Sequence, residues 1–297
     1  MSQILGVIFP TIAGILFGSQ FLPQKKLRDI NTNRYNLSMI LGSFIISAVY
    51  ISIMFFIEKS HFYVIPISIC ILAGFIWQFG NFFVILSISE IGMSKTTTLM
   101  NLISVYSFIF GIIIYSEPVT IFKIIGLPLI ILGAIITAIT RKDENKKLNW
   151  KGSLFIIIAT FIISIFNLLS TESMVSKINP IVPYYTNVFF ITLGSLTGSI
   201  IFNLKSFSIK QWFSETKRFH LFGIFGGFIW CIGTLFTSYT LQNYGLSFGV
   251  PIIQSVMTIS GTAWGIIYFK EFTSKKNIII FMIGLIVSII GIIIFSY

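Results

Sequence analysis

The chain has 297 residues, of which 55% are hydrophobic and only 10% are charged, and its mean hydropathy is +0.94. A soluble domain carries about a quarter charged residues, so this composition excludes a water-soluble protein and indicates an integral membrane protein. The net charge of +11 does not indicate a nucleic-acid partner, because the basic residues fall almost entirely in short gaps between apolar runs. We therefore expect the lipid bilayer as the surroundings of the chain.

Ten apolar segments are long enough to cross a bilayer as helices, which takes about 20 residues each. In chain order they are residues 4–22, 36–57, 64–87, 95–115, 121–140, 153–173, 183–204, 221–241, 248–269 and 278–296, numbered here as segments 1 to 10. We predict an all-α integral membrane protein with ten transmembrane helices. Residues 1–140 form a first five-helix repeat, 141–152 a charged linker, and 153–297 a second five-helix repeat.

The Lys and Arg residues are divided unequally between the two sides of this predicted bundle. The side that carries the linker holds 17 of them, whereas the other side holds only Lys59, Lys123 and Lys177. The positive-inside rule then predicts a multi-pass plasma-membrane protein with the linker in the cytoplasm and both termini outside. A five-helix unit that is repeated in tandem must insert the opposite way up, so we predict inverted repeats, as in many secondary transporters.

A weak internal repeat at an offset of 153 or 154 residues relates the two halves. The run Gly74–Gly80 matches the run Gly227–Gly233 and aligns Trp77 with Trp230. The other matched pairs are Gly92 with Gly245, Asn101 with Gln254, Gly111 with Gly265, and Glu117 with Glu271. Two related halves of a membrane transporter usually meet at a central substrate site, and we expect the function there.

Polar side chains recur at helical spacing in several segments of both halves. Such groups are costly in hydrocarbon, so they either bridge neighbouring helices or line a polar cavity. Because the stripes are matched between the halves, we favour a cavity. The predicted substrate-binding residues are Ser19, Gln20, Trp77, Gln78, Asn81, Asn101, Asn167, Trp230, Thr234, Gln254 and Thr258. The two tryptophans offer flat faces against which a sugar ring can stack.

Charged residues are absent from the middle of every segment, which favours a neutral polar cargo over an ion. Glu172, which follows the polar stripe of segment 6, is a possible coupling acid or an interfacial surface residue. The only histidines, His61 and His220, lie in gaps, and no acid pair shares a helix face. We therefore expect no enzyme activity, no cofactor and no metal site.

Three short motifs carry a family resemblance. They are Gly18-Ser19 with Pro23 and Lys25 at the end of segment 1, Gly227-x-x-Trp230-x-x-Gly233 in segment 8, and Pro251-x-x-Gln254 in segment 9. With these motifs and its two five-segment halves, the sequence resembles the drug/metabolite transporter superfamily and, within it, the glucose/ribose porter family. The resemblance implies sugar uptake by alternating access, coupled to a proton or a sodium ion.

Other functions of the same superfamily stay open at this point. Export of amino acids or other small metabolites is the main alternative, and a lipid-headgroup flippase is a further one. A cationic drug exporter is disfavoured, because segment 1 offers Gln20 and no acid. The sequence leaves open the direction of transport, the solute itself, and whether the protein is a monomer or a homodimer.

Overall fold

The computed structural model describes residues 2–20, 22–25, 27, 31–58, 63–91, 96, 99–139, 150–205, 208–267, 275–295 and 297. Within these ranges every regular element is an α-helix and no β-strand occurs. The helices are α1 Ser2–Ser19, α2 Leu22–Lys25, α3 Thr32–Ile57, α4 Val64–Ile91, α5 Leu102–Tyr115, α6 Ile121–Ile139, α7 Trp150–Val175, α8 Tyr184–Lys205, α9 Ser208–Phe213, α10 Lys217–Tyr244, α11 Leu246–Ile267 and α12 Lys275–Phe295. The all-α class predicted from composition is confirmed.

The helices have the length and surface of a membrane protein. Six of them are long and apolar enough to cross a bilayer, and four more contain shorter apolar stretches, Ile4–Ser19, Leu102–Tyr115, Ile121–Gly133 and Leu246–Gly261. Large apolar side chains cover the outer surface, as Ile113 on α5 (73% exposed) and Ile286 on α12 (51% exposed) do. A surface of this kind suits acyl chains rather than water.

The end of the first helix differs from the prediction. The apolar pattern predicts a helix through residue 22, whereas α1 ends at Ser19 and Gln20 lies in the following turn. Pro23 lacks the backbone N–H that a continuing helix would donate to the Ser19 carbonyl, and it lies instead in the first turn of the separate four-residue α2. Gln20 therefore stands just beyond the membrane helix.

Helices from the first part of the chain pack mainly on helices from the second part. α4 packs on α7 and α8, and α10 packs on α1 and α3. α5 packs along α11, and α6 packs along α12. The chain up to α6 and the chain from α7 onward are thus interleaved rather than separated.

Two matching contacts hold the crossings of α3 with α10 and of α8 with α4. The Ser43 hydroxyl of α3 lies 3.1 Å from the Gly227 carbonyl oxygen of α10, and the Ser195 hydroxyl of α8 lies 3.1 Å from the Gly74 carbonyl oxygen of α4. Both glycines permit a close approach, since a Cβ on Gly227 would lie 2.0 Å from the Met39 carbonyl oxygen. A Cβ on Gly74 would lie 2.1 Å from a carbonyl oxygen of α8.

The bundle has two ends, which we name by their place in the chain. The linker end is where α6 ends and α7 begins, on either side of the charged stretch 141–152. The far end is the opposite one, where Ser116–Thr120 joins α5 to α6. These two names are used below.

Candidate functional site

The two repeat-matched tryptophans meet in the interior of the bundle. The ring centroids of Trp77 on α4 and Trp230 on α10 are 4.9 Å apart, and the ring planes are inclined by 43°. Trp230 is 4% exposed, whereas Trp77 is only partly buried. α4 and α10 each pack mainly on other helices, so the contact between the two rings bridges the interior between α4 and α10. The sequence repeat predicts equivalent positions, and the structure brings the two side chains into contact.

The contact between α5 and α11 is a second feature of the interior. A Cβ on Gly111 of α5 would lie 2.7 Å from the Cβ of Ser247 on α11. The two helices run antiparallel, because the residues that follow α5 contact the start of α11. Seven residues are about two helical turns, so moving seven residues along each helix from this contact leads to Ser104 on α5 and Gln254 on α11, at about the same level of the bundle.

Three buried polar atoms along this contact have no hydrogen-bond partner among the described residues. They are Ser104 Oγ and Ser107 Oγ on α5 and Gln254 Oε1 on α11, which together we call the polar seam. Ser104 and Ser107 are fully buried, and Gln254 is 9% exposed. A buried polar group without a partner costs free energy, so such groups indicate a place for water or for a polar ligand.

The hydroxyl groups of other membrane helices behave differently from those of the seam. Many of them bond a carbonyl oxygen one turn earlier in their own helix, which satisfies them locally. Examples are Ser43, Ser164, Thr171, Thr234, Ser255 and Thr258. The side chains of the polar seam thus retain their hydrogen-bonding capacity for another molecule.

The remaining residues predicted on α10 and α11 lie beside these features. Thr234 is one turn from Trp230, and its hydroxyl donates to the Trp230 carbonyl oxygen at 2.8 Å. Thr258 donates in the same way to the Gln254 carbonyl oxygen at 3.0 Å. Asn101, 3% exposed, directly precedes α5, at the linker end of the seam. The hydroxyl protons of Thr234 and Thr258 are therefore already engaged within their own helices.

The two predicted residues at the end of α1 lie near the linker end. The Ser19 hydroxyl donates to the Ile15 carbonyl oxygen at 2.7 Å and accepts from the Trp264 indole nitrogen at 2.8 Å. Ser19 is thereby fully engaged in joining α1 to α11. Gln20 Oε1 is buried and has no partner among the described residues, so Gln20 retains an acceptor for a ligand.

Gln78 and Asn81 of α4 bond groups on α3 and α8. The Gln78 amide accepts from Asn36 of α3 at 3.1 Å and donates to the Ser195 carbonyl oxygen of α8 at 3.0 Å. The Asn81 side-chain amide donates to the Asn36 side-chain oxygen Oδ1 at 3.4 Å. Trp77 and Asn81 are one turn apart on the continuous α4, where Trp77 contacts Trp230 and Asn81 bonds Asn36.

Asn167 and Glu172 lie on α7, toward the far end. Asn167 is 6% exposed, and its backbone carbonyl accepts from the Thr171 hydroxyl at 2.8 Å. The Tyr115 hydroxyl of α5 lies 3.2 Å from Glu172 Oε2 and 3.1 Å from the Leu168 carbonyl oxygen. Glu172 is thus connected to the helix that carries two residues of the polar seam.

Asn187 is an interior residue that the sequence analysis does not single out. Its side-chain oxygen accepts from Ser170 of α7 at 3.2 Å and from Ser238 of α10 at 3.0 Å. Its amide donates to Ser173 at 2.8 Å and contacts Cys70 of α4 at 3.5 Å. The signal available in the sequence is an asparagine within an apolar segment, and its engaged side chain indicates a structural role.

The charged groups of the described residues lie at helix ends and not in this interior. Arg34 pairs with Glu215, and Lys151 lies 4.0 Å from Glu90, all four at the linker end. Glu117 at the far end accepts from the backbone amides of Leu246 and Ser247. The interior site consequently offers aromatic faces and neutral hydrogen-bonding groups, which suits an uncharged polar molecule.

Comparisons with known proteins agree with a transport protein. The family described as sugar transport protein matches residues 26–296. A Priestia megaterium protein named as a probable glucose uptake protein, GlcU, is 24% identical over 97% of both chains. A Listeria monocytogenes protein, provisionally named a sugar uptake protein, is 26% identical over 74% of this chain and 75% of its own length.

One solved crystal structure has the same overall fold. It superposes with a TM-score of 0.73 over 97% of this chain and 95% of that chain at 10% sequence identity, a likeness that concerns the fold alone. The family match spans nearly the whole chain and agrees with the glucose/ribose porter resemblance drawn from the motifs. The chain is therefore a multi-pass membrane protein that belongs to the family of sugar transport proteins.

Proposed function

We propose that this protein is a secondary transporter that carries a neutral sugar across the plasma membrane by alternating access. The observation that carries the proposal is the polar seam, whose three buried atoms are uncharged and have no hydrogen-bond partner in the part of the chain that the structure describes. Sugar hydroxyls both donate and accept hydrogen bonds, so they can satisfy Ser104, Ser107 and Gln254 without bringing a charge into the bilayer. The family match and the names of the relatives support the same substrate class.

Inverted repeats provide the two states of such a transporter. The contact of Ser43 with Gly227 and that of Ser195 with Gly74 have the same length. The two serines are 152 residues apart in the sequence and the two glycines 153, close to the offset of the repeat. The packing of the helices supports the same relation. α10 packs on α1 and α3, and its counterpart α4 packs on α7 and α8, which correspond to α1 and α3 in the repeat. Each half then rocks against the other around the interior site, which opens first to one side and then to the other.

The sugar binds between the halves in this mechanism. Its ring lies against the faces of Trp77 and Trp230, and its hydroxyls bond the polar seam. Pro251 lies one turn before Ser255 on α11 and lacks a backbone N–H, so it leaves the carbonyl of residue 247 without its helical partner. That interruption gives α11 a point at which it can bend as the seam opens.

The function is tested by thermal unfolding of the purified protein in the presence of candidate solutes. A ligand that binds only the folded state raises the melting temperature increasingly with its concentration. We expect hexoses or pentoses to raise it and organic cations to leave it unchanged. A screen in which amino acids alone stabilise the protein would instead support the metabolite exporter.

Coupling to a proton is assigned in this proposal to Glu172. Its carboxylate lies beside the Tyr115 hydroxyl at the far end, where a proton can exchange with one side of the membrane. Glu172→Gln keeps the shape of the side chain but cannot release a proton. We expect this variant to lose accumulation against a gradient and to retain downhill exchange. Counterflow that responds to neither pH, sodium nor the substitution would identify an uncoupled facilitator.

The orientation of the protein follows from the charge distribution along the sequence. The side that carries the linker 141–152 holds 17 of the Lys and Arg residues, so the linker end faces the cytoplasm in this proposal. A cysteine introduced in the linker should resist impermeant thiol reagents in intact cells, and one at Tyr297 should react. Labelling of the linker cysteine from outside contradicts this orientation.

A further inference from the structure

The end of α5 is held by two helices from the second half of the chain. Glu117, which lies two residues beyond α5, accepts from the backbone amides of Leu246 at 2.7 Å and Ser247 at 2.9 Å, and also from the Ser247 hydroxyl. The hydroxyl of Tyr115, the last residue of α5, lies 3.2 Å from Glu172 Oε2 on α7. If the two halves rock against each other, the interior can open at the far end only when these groups separate.

The backbone around Glu117 leaves room for its carboxylate. Gly245, which directly precedes α11, has a φ of +89°, a conformation that residues with a side chain rarely adopt. A Cβ on Gly245 would lie 2.7 Å from Glu117 Cδ, and a Cβ on Gly111 of α5 would lie 3.1 Å from the same atom. Two glycines, one from each half of the chain, thus provide the space that the carboxylate fills.

The sequence repeat contains all three of these residues. The matched pairs are Gly92 with Gly245, Gly111 with Gly265, and Glu117 with Glu271. Gly92 and Glu271 lie outside the described residues, so this match is a property of the sequence. The recurrence of both glycines together with the acid indicates that the three residues belong to one functional unit.

The hydrogen bonds of Glu117 require an ionised carboxylate. The Leu246 N–H donates to Oε1, and the N–H and the hydroxyl of Ser247 donate to Oε2. A protonated carboxyl group carries an O–H on one of its oxygens, and that oxygen becomes a donor. A proton on either oxygen of Glu117 would therefore face a backbone N–H, which cannot accept it. The bonds are present while Glu117 is ionised and are lost as the pH falls.

Other titratable groups near Glu117 come from the neighbouring helices. Lys123 of α6 interacts electrostatically with Glu117, and its ammonium group donates to a backbone carbonyl oxygen at 2.8 Å. Glu172 of α7 bonds Tyr115 of α5. The first turn of α11 carries no titratable side chain, and Tyr244 at the end of α10 packs on α1. Lys123 and Glu172 thus bring charges of opposite sign to the far end, whereas the hydrogen bonds of Glu117 come from uncharged groups.

We propose that Glu117 is a proton-sensitive latch, whose ionised carboxylate keeps the interior closed at the far end and whose protonation releases α11 and opens that end. The inference rests on the proposed alternating access. It gives Glu117 a role separate from that of Glu172, because Glu172 carries the coupled proton and Glu117 controls access to the site. In the proposed orientation, acid outside the cell favours the state that receives sugar from outside.

The test measures a distance across the far end by electron spin resonance, on protein in lipid nanodiscs and without sugar. Spin labels are attached to cysteines introduced at Val119, between α5 and α6, and at Asn243, near the end of α10, which are both exposed. The buried Cys70 and Cys231 are replaced by alanine. We expect one short distance at about pH 8, and at about pH 4.5 a second, longer distance in most of the molecules. Glu117→Gln, which cannot accept at both positions, should show the longer distance at both pH values.

Two control variants leave the main bonds of Glu117 in place. Ser247→Ala keeps both backbone bonds, and Glu172→Gln keeps all three bonds, so each should retain the response to pH. A wild-type distance that does not change with pH would overturn the latch, and so would a Glu117→Gln protein that keeps the short distance. A response that is lost in Glu172→Gln and kept in Glu117→Gln would also overturn it, because the sensing acid would then be Glu172.

The outcome for the latch is independent of the outcome for sugar transport. The distance is measured without sugar, and thermal stabilisation by hexoses or pentoses is measured on the same proteins. A latch that fails in a protein that sugars stabilise would leave sugar transport standing. A latch that responds to pH in a protein that no sugar stabilises would support the gate and overturn the proposed substrate.

Discussion

The two ends of the bundle use their polar groups in different ways. At the far end, carboxylates and tyrosines are engaged with one another across helices, as in the bonds of Tyr185 with Glu58 at 2.9 Å and of Tyr50 with Tyr184 at 3.2 Å. At the linker end, Ser199 and Gln20 keep buried polar atoms without partners among the described residues. These carboxylates and phenols thus join helices, whereas Ser199 and Gln20 retain bonding capacity for a solute.

At the far end, Glu117 connects the segment that follows α5 to the start of α11. Its carboxylate accepts from the backbone amides of Leu246 at 2.7 Å and Ser247 at 2.9 Å, and it also bonds the Ser247 hydroxyl. An acid at the N-terminus of a helix satisfies otherwise unpaired amides and interacts favourably with the helix dipole. Glu117 thereby joins the end of α5 to the start of α11, and in the proposed alternating access, opening on that side must break these bonds.

The largest effect is expected from Glu117→Ala. It leaves the amides of Leu246 and Ser247 unpaired, and we expect the free energy of unfolding to fall by about 3 kcal/mol, because bonds to a charged acceptor are strong. Thermal unfolding in detergent measures this change. Ser247→Ala, which removes one of the three bonds, is the matched control and should cost clearly less. Equal melting temperatures for wild type and Glu117→Ala would mean that the far end is not held by this residue.

The second effect concerns the neutral groups of the interior. Gln254→Leu and Asn101→Leu should each weaken sugar binding to the seam by about 1–3 kcal/mol, because a sugar hydroxyl is left unpaired. Insertion should be unaffected, since Leu suits the bilayer. Binding in detergent and uptake in vesicles are the measurements, with Ile286→Leu on the outer face of α12 as control. Two variants that bind as tightly as wild type would assign these amides to helix packing alone.

A smaller effect compares the two halves where the repeat matches them. Ser43→Ala and Ser195→Ala each remove a hydroxyl at 3.1 Å from a glycine carbonyl, of Gly227 and of Gly74 respectively. Each should lower the free energy of unfolding by about 0.5–1.5 kcal/mol, and by similar amounts. The melting temperatures of the two variants provide the comparison. A large cost for one and none for the other would show that only one crossing supports the fold.

The smallest effect is expected at an exposed ion pair of the linker end. Lys151 lies 4.0 Å from Glu90, and its side chain is 62% exposed. Exposed pairs contribute about 0–1 kcal/mol, because water and salt screen them. Lys151→Ala should therefore leave the melting temperature nearly unchanged at moderate salt. A loss as large as that of Glu117→Ala would contradict the distinction between the two ends.

Part of the candidate site could be predicted from local patterns. The repeat aligns Trp77 with Trp230, and the structure brings their rings into contact. The polar spacing of segments 4 and 9 indicates buried neutral groups, and Asn101 and Gln254 are indeed buried. Periodicity predicts which side of a helix is polar, and the cost of burying polar groups in a bilayer predicts that they face protein.

Other features depend on which helices become neighbours. Gln78 follows Trp77 directly in the chain, yet it bonds α3 and α8. Asn187 joins α4, α7 and α10, a role that its own segment does not reveal. Such roles require the relative position of helices that are distant in sequence, and a single-segment pattern contains no information about it.

The sequence by itself determined the class of the protein, the approximate positions of its helices, the uncharged character of its interior and, through short motifs, its family. These properties follow from composition and from the energetic cost of placing charge and unpaired backbone groups in hydrocarbon. Only the tertiary structure decided which polar groups already have a hydrogen-bond partner within the protein. Thr234 bonds its own helix, whereas Ser104 and Ser107 have no partner among the described residues. A hydroxyl is satisfied by whatever atom lies within about 3 Å of it, and that distance is set by the packing of the whole bundle.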